Sequence, residues 1–341
     1  MLLRVGIYSI FLIMMLVKCI LPDEKPEIIP LPQQSVLDKG DFIFDPTTLI
    51  SVENEKQAMI AQELTGIFNQ AAGFSPQIAI QEKQADIIFR TDMSLSAEHY
   101  KLNISPSCIL VEASGNKGFF YAIQTLRFLL PPAINSQTPV KNIQWNVPGM
   151  TIHDGPRYNN RTIVLHTPFN LIPKNNLEQL IDCMAMLKIN RLHFIQEPYD
   201  RTPEIQQGLE NMTSYAHSKK ITISSGMTRS DGIISNLPFY LEQIIRKSNI
   251  SDSKDDRKLL FKHLASIAEK SWSNPLEAEG NKNSKRVEML ALYRKQDFIT
   301  VEKKIIVTRN LFILIISICL CSSADEKNCQ ASHQLSGRAL F

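Results

Sequence analysis

Adjacent Asp and Glu occur twice in this chain of 341 residues, at Asp23-Glu24 and at Asp325-Glu326. Such a pair can divide acid–base work, one carboxyl delivering a proton while its neighbour holds a developing charge. Asp23-Glu24 has no strand beneath it and reads as a solvated pair. Asp325-Glu326 follows an apolar run, Leu311 to Cys321, and a spacer of Ser322-Ser323-Ala324. It reads either as a catalytic pair at the end of a strand or as the polar turn of a second export-like segment whose cations are Lys303-Lys304. His166 and His193 stand beside apolar strands, where a histidine either touches a ligand or is satisfied within the structure. The flat face of Trp272 could stack on a sugar ring or fill a core. Cys108 and Cys183 are too isolated for a zinc site or a disulfide framework and read as small core hydrophobes. No metal or other cofactor is implied by these groups.

Composition narrows the partners. The chain is 44% hydrophobic and 21% charged, as a globular protein is, and its formal net charge of +3 is too small to argue for nucleic acid. No basic run is interleaved with aromatics, so no nucleic-acid partner is expected. At the amino terminus a cation, Arg4, precedes the apolar run Val5 to Val17, then Lys18-Cys19 and a polar segment from Pro22. That order predicts a secretory signal or anchor over residues 1–21, the run being shorter than the roughly 20 apolar residues of a membrane span. The expected location is exported: periplasmic, cell-surface or secreted. Attachment to a membrane through this segment stays open, because Cys19 could carry lipid while Lys18 occupies the place where a lipoprotein signal has a small residue.

Between these ends the pattern predicts two regions. In Tyr100 to Ala113, the apolar residues Leu102, Ile104, Ile109, Val111 and Ala113 recur at period two around Ser105-Pro106-Ser107, which predicts two strands and a turn. From Gly118 the spacing becomes helical through Phe119, Ala122, Ile123, Leu126, Leu129 and Leu130, and Pro131-Pro132 stops it. Upstream, Phe42 to Val52 reads as one or two strands, Glu53 to Ala71 as a helix stopped by Gly73, and Ile78 to Ile80 and Ile87 to Arg90 as strands. Residues 27–147 are therefore expected to form an α+β domain, a sheet with helices on one face.

The second region alternates. Ile163 to Leu165, Leu192 to Ile195 and Ile221 to Ile223 read as strands, and Leu177 to Leu187 and Glu204 to Lys219 as helices, a sequence of βαβ units and hence a parallel sheet. Residues 276–341 read as a linker and an atypical, signal-like tail.

The quoted residues resemble a known family. Gly118-Phe119-Phe120-Tyr121 followed by Gln124-Thr125-Leu126-Arg127 is similar to the helix of the small domain that precedes the catalytic barrel in family-20 glycoside hydrolases, the β-N-acetylhexosaminidases. Val147 to Ile152, Gly155-Pro156-Arg157-Tyr158 and Arg161 resemble that family's crossing into its (β/α)8 barrel. Leu187 to Phe194 resembles its passage from first helix to second strand. The resemblance breaks after Ser225 and resumes at Lys258 to Pro275, which looks like the closing helix. Since such a barrel takes about 250 residues, residues 151–275 are expected to hold an incomplete (β/α)8 TIM-type barrel lacking its middle.

The resemblance implies hydrolysis of terminal N-acetylhexosamine from glycans, with retention and with the substrate's own acetamide as nucleophile, an Asp holding the acetamide and an adjacent Glu protonating the leaving oxygen. It places that pair before the closing helix, whereas Asp325-Glu326 lies well after Trp272. It also places a sugar-gripping aspartate and arginine where this chain has His166 and Phe169. The candidate catalytic residues are thus Asp325 and Glu326, and the candidate substrate contacts His166, His193 and Trp272. The expected function is that of a glycosidase of this family impaired in catalysis, a pseudoenzyme. A noncatalytic glycan-binding protein and the remnant of a damaged gene that folds only through its small domain remain open alternatives.

Overall fold

A seven-stranded mixed sheet is built from β1 (Gln34–Ile43), β2 (Leu49–Val52), β3 (Gln77–Ile80), β4 (Ile87–Thr91), β5 (Tyr100–Ser105), β6 (Cys108–Ala113) and β7 (Asn146–Asp154), in the order β1-β7-β5-β6-β4-β2-β3. The computed structural model describes residues 26–195, 202–226, 232–247 and 253–273. Residues 1–21, where a signal or anchor is expected, Asp23-Glu24, Asp325-Glu326 and the expected tail all lie outside the described residues.

The period-two reading of Tyr100 to Ala113 has a direct counterpart. In β5 the side chains of Tyr100, Leu102 and Ile104 are buried, and in β6 those of Ile109, Val111 and Ala113. The two strands pair antiparallel with Leu102 opposite Val111, so both apolar sets share one face. On that face lie α1 (Glu55–Ala72) and α2 (Asn116–Leu129). Asn54 caps α1 by accepting from the Gln57 amide at 3.1 Å, and Gly73 ends it in the left-handed conformation. Gly118 lets α2 approach the sheet closely: a Cβ there would lie 2.5 Å from the His99 carbonyl oxygen and 2.7 Å from the Ala113 Cβ. That is why a glycine opens the helical signature.

Two expectations change in this sheet. Residues 34–41 extend β1 well upstream of Phe42, although they carry no apolar alternation, because their side chains are exposed or half-buried and the strand is held by its antiparallel partner β7. And β7 runs to Asp154, pairing with both β1 and β5. Strand β7 therefore spans the residues, 147 to 151, between which the expected regions meet.

The second region forms a four-stranded parallel sheet of β8 (Arg161–Leu165), β9 (Arg191–Phe194), β10 (Thr222–Ser225) and β11 (Ile233–Asn236), in the order β10-β9-β8-β11. With them go α3 (Lys174–Met186), α4 (Pro203–Ser218), α5 (Phe239–Arg246) and α6 (Lys254–Trp272). In α3, Leu177, Leu180, Ile181 and Met184 form the buried stripe, and Thr202 and Ser253 cap α4 and α6. Strand β11 and helix α5 lie in the stretch where the resemblance breaks, so the described strands number four where the sequence predicted three. Only residues 226–232 join β10 to β11, fewer than the dozen or more that a parallel crossover ordinarily takes. Gly226 and Gly232, at the two ends of this link, have φ of 95° and 130°, which favour glycine.

Cys108 and Cys183 are half-buried rather than enclosed in the core. No described helix is long and apolar enough to cross a membrane.

Candidate functional site

The carboxyl ends of parallel strands are where α/β folds place their ligands. In this chain the residues directly after β8, β9, β10 and β11 are His166, Ile195, Gly226 and Leu237, none of them acidic. His166 is exposed, and its backbone is fixed from α5. The Glu242 carboxylate, 2% exposed, accepts from the His166 amide at 2.9 Å, the Thr167 amide at 2.9 Å and the Thr167 hydroxyl at 2.7 Å. Three charge-assisted bonds compensate the burial of this acid and occupy the oxygens that would otherwise be offered to a ligand.

His193 is also accounted for. It is buried in β9 opposite Ser224 of β10. With its proton on Nε2, that nitrogen donates to the Gly226 carbonyl at 2.7 Å, while Nδ1 accepts from the Ser224 hydroxyl at 2.9 Å. Phe169, which stands where the resemblance placed an arginine, is 9% exposed and packs edge-on against Phe194 with ring centroids 6.3 Å apart. It adds to the core and offers no donor. A groove of about 470 Å³ opens between the turn at Phe169–Leu171, α3 and α4, lined by Phe169, Ile172, Leu177, Met212 and Tyr215, with Lys174 and Glu178 also on its wall. Its one lining phenol is engaged, Tyr215 donating to Asp182 at 2.7 Å.

Trp272 lies elsewhere and is closed to ligands, which corrects its reading as a sugar platform. It is fully buried, and its indole N–H donates to Asp154 Oδ1 at 2.8 Å. The Lys188 ammonium sits 4.5 Å from its ring centroid and the Arg161 guanidinium 5.0 Å, while Tyr121 meets it edge-on. Around it, Asp154 Oδ2 accepts from Lys188 at 2.8 Å and from the Tyr100 hydroxyl at 2.6 Å. Arg161 bonds Glu98 at 2.8 Å and the Tyr121 hydroxyl at 3.1 Å.

These contacts set the charges of the cluster. Burial lowers the Lys188 ammonium below the usual lysine value, with Asp154 opposing. Burial and then the Asp154 charge raise the Tyr100 phenol well above its ordinary value. For Glu98 burial acts upward, but Arg161 and Lys117 outweigh it and leave the carboxyl below the usual glutamate value.

Of the five sequence candidates, then, His166 is exposed at a strand end, His193 is tied inside the sheet, Trp272 is core, and Asp325 and Glu326 lie outside the described residues. Glu242, Asp154 and Lys188 were not found from sequence. An acid within an apolar helix such as Phe239–Arg246 carries a weak signal of a buried role, and nothing in the local spelling marks Asp154 or Lys188. Among the described residues no group of three or more histidines, cysteines or acids is placed to hold a metal.

Residues 25–155 match the family profile described as Glycosyl hydrolase family 20, domain 2. The chain is 32% identical over 176 residues to a beta-hexosaminidase of Porphyromonas gingivalis, which spans 50% of this chain and 22% of that protein. It is 26% identical over 171 residues to a beta-hexosaminidase of Vibrio furnissii, 49% of this chain and 26% of that one. Among solved structures, the N-acetyl-beta-hexosaminidase of Streptomyces plicatus superposes with a TM-score of 0.53 at 22% identity, over 60% of this chain and 46% of that one. The chain thus matches about a quarter of the length of these relatives and under half of that structure, and the structural likeness at this identity speaks for the fold.

Proposed function

Because the chain is a divergent relative of glycosyl hydrolase family 20, we propose that it is an exported β-N-acetylhexosaminidase-like protein that meets N-acetylhexosamine-containing glycans and is impaired in cleaving them. The observation that carries this reading is that the described residues standing directly after the four parallel strands, His166, Ile195, Gly226 and Leu237, include no acid. The nearest buried acid, Glu242, spends its oxygens on the His166 and Thr167 backbone and the Thr167 hydroxyl. Substrate-assisted cleavage needs one carboxyl to hold the acetamide and another to protonate the leaving oxygen. Loss of the general acid alone lowers the rate by about 10² to 10⁴.

The sheet order supports a shortened barrel. In a closed parallel barrel the last strand returns beside the first, and β11 lies beside β8 in this way while β10 stands at the other edge. The four described strands are half of the eight that close such a barrel. Among the described residues of this region His166 presents an exposed polar side chain to a glycan. Export through residues 1–21, and any membrane attachment at Cys19, belong to the same proposal.

Purified full-length chain incubated with nitrophenyl N-acetylglucosaminide tests the impairment. We expect no nitrophenol above that of the Asp325→Asn, Glu326→Gln double variant. Release above that control would overturn the proposal. Calorimetric titration with N-acetylglucosamine tests the glycan contact: heat that weakens in His166→Ala is expected, and no heat with either protein would remove glycans as ligands.

A further inference from the structure

The buried cluster around Trp272 draws its members from three distant parts of the chain. Asp154, Tyr100 and Glu98 belong to the seven-stranded sheet or the loop entering it, Arg161 and Lys188 to the parallel layer, and Trp272 to the end of α6. Lys188 and Asp154 are both 0% exposed as side chains. A second set of bonds ties α6 to the first sheet's entry, since Glu269 Oε2 accepts from the Leu31 amide at 3.1 Å and the Ser273 hydroxyl donates to the Leu31 carbonyl at 2.8 Å.

Lys188 is held at a φ of 60°, a conformation that disfavours any residue with a Cβ. There the chain leaves α3 and turns toward β9. A lysine tolerated in that backbone state, with its ammonium enclosed, has among the described residues the Asp154 carboxylate and the Tyr100 hydroxyl, at 2.8 Å each, as hydrogen-bonding partners. Ion pairs cross the junction, Lys188 to Asp154 and Arg161 to Glu98, so parting the layers breaks both and returns the apolar faces of Trp272, Tyr100 and Tyr121 to water.

From this we infer that the Lys188–Asp154–Trp272 cluster is an interlock that makes the seven-stranded sheet and the parallel layer unfold as one cooperative unit. The sheet that matches the family profile then has no independent stability in this chain. The interlock also explains how α6 keeps its place beside a parallel layer of four described strands: its end is anchored on Asp154 and Leu31. The inference stands apart from any glycan reading.

Urea unfolding of the full chain, followed by hydrogen exchange, tests it. Amides of Leu102 and Ile104 in β5 and of Leu192 and Phe194 in β9 are expected to lose protection at the same midpoint. Lys188→Met is expected to lower the folding equilibrium roughly several-hundred-fold and to move both sets together. Trp272→Phe keeps the ring, loses the bond to Asp154, and is expected to shift both midpoints by one equal, smaller step. Loss of β9 protection while β5 stays protected would overturn the interlock, as would a variant that moves only one set. Should Lys188→Met not fold, the wild-type comparison and Trp272→Phe decide.

Discussion

Glu242 takes hydrogen bonds from both the amide and the hydroxyl of Thr167, at 2.9 and 2.7 Å, so one acid from α5 clamps the exit of β8. Glu242→Ala removes the acceptor for the buried Thr167 amide and hydroxyl and for the His166 amide. Unsatisfied buried donors cost about 1–3 kcal/mol each before relaxation, and a loss of about 3 kcal/mol in urea-unfolding stability is expected. Glu242→Gln keeps one acceptor oxygen and should lose about half as much.

The two histidines should separate cleanly. His166→Ala changes an exposed ring and should shift stability by less than about 0.5 kcal/mol. His193→Ala strips two ring bonds, to Ser224 and to the Gly226 carbonyl, and leaves a buried gap. It should cost about 2 kcal/mol. Thermal melts of the two variants beside the parent check this.

Acid should weaken the junction through Glu98. Its carboxyl sits below the ordinary value of 4.5 in the folded chain because Arg161 and Lys117 outweigh burial. A depressed folded value means that its stabilisation is fully present above that ordinary value and is lost as pH falls through the lower, folded one. Unfolding midpoints measured downward from pH 5 should fall, and Glu98→Gln should flatten that part of the curve.

Gly118→Ala tests the close approach of α2. With a Cβ 2.5 Å from a carbonyl oxygen and 2.7 Å from the Ala113 Cβ, the helix must shift. A cost of about 1–3 kcal/mol is expected, although alanine ordinarily favours a helix over glycine.

What the sequence revealed followed from how strongly each element was patterned. Leu102 to Ala113 and Phe119 to Leu130 bury one face each and so spell their periods openly. Residues 34–41 of β1 bury almost nothing and spell none, so that strand was visible only in its pairing with β7. Strand β11 and helix α5 are short, and the family pattern that guided the reading of their neighbours stops at Ser225. The candidate site was less legible still. His166 and His193 look alike in sequence, each beside an apolar strand, yet one ring is exposed and the other is locked by a neighbouring strand that no local spacing foretells. Asp154 and Lys188 meet across 34 residues, a distance over which sequence period carries no information.

Strand β10 ends at Ser225 and β11 begins at Ile233, and both already stand parallel to the strands between them. The two edges of this sheet are therefore strands that follow one another in the chain, and both edges carry the same polarity, so a strand added in parallel at either side would extend the layer without reversing its direction.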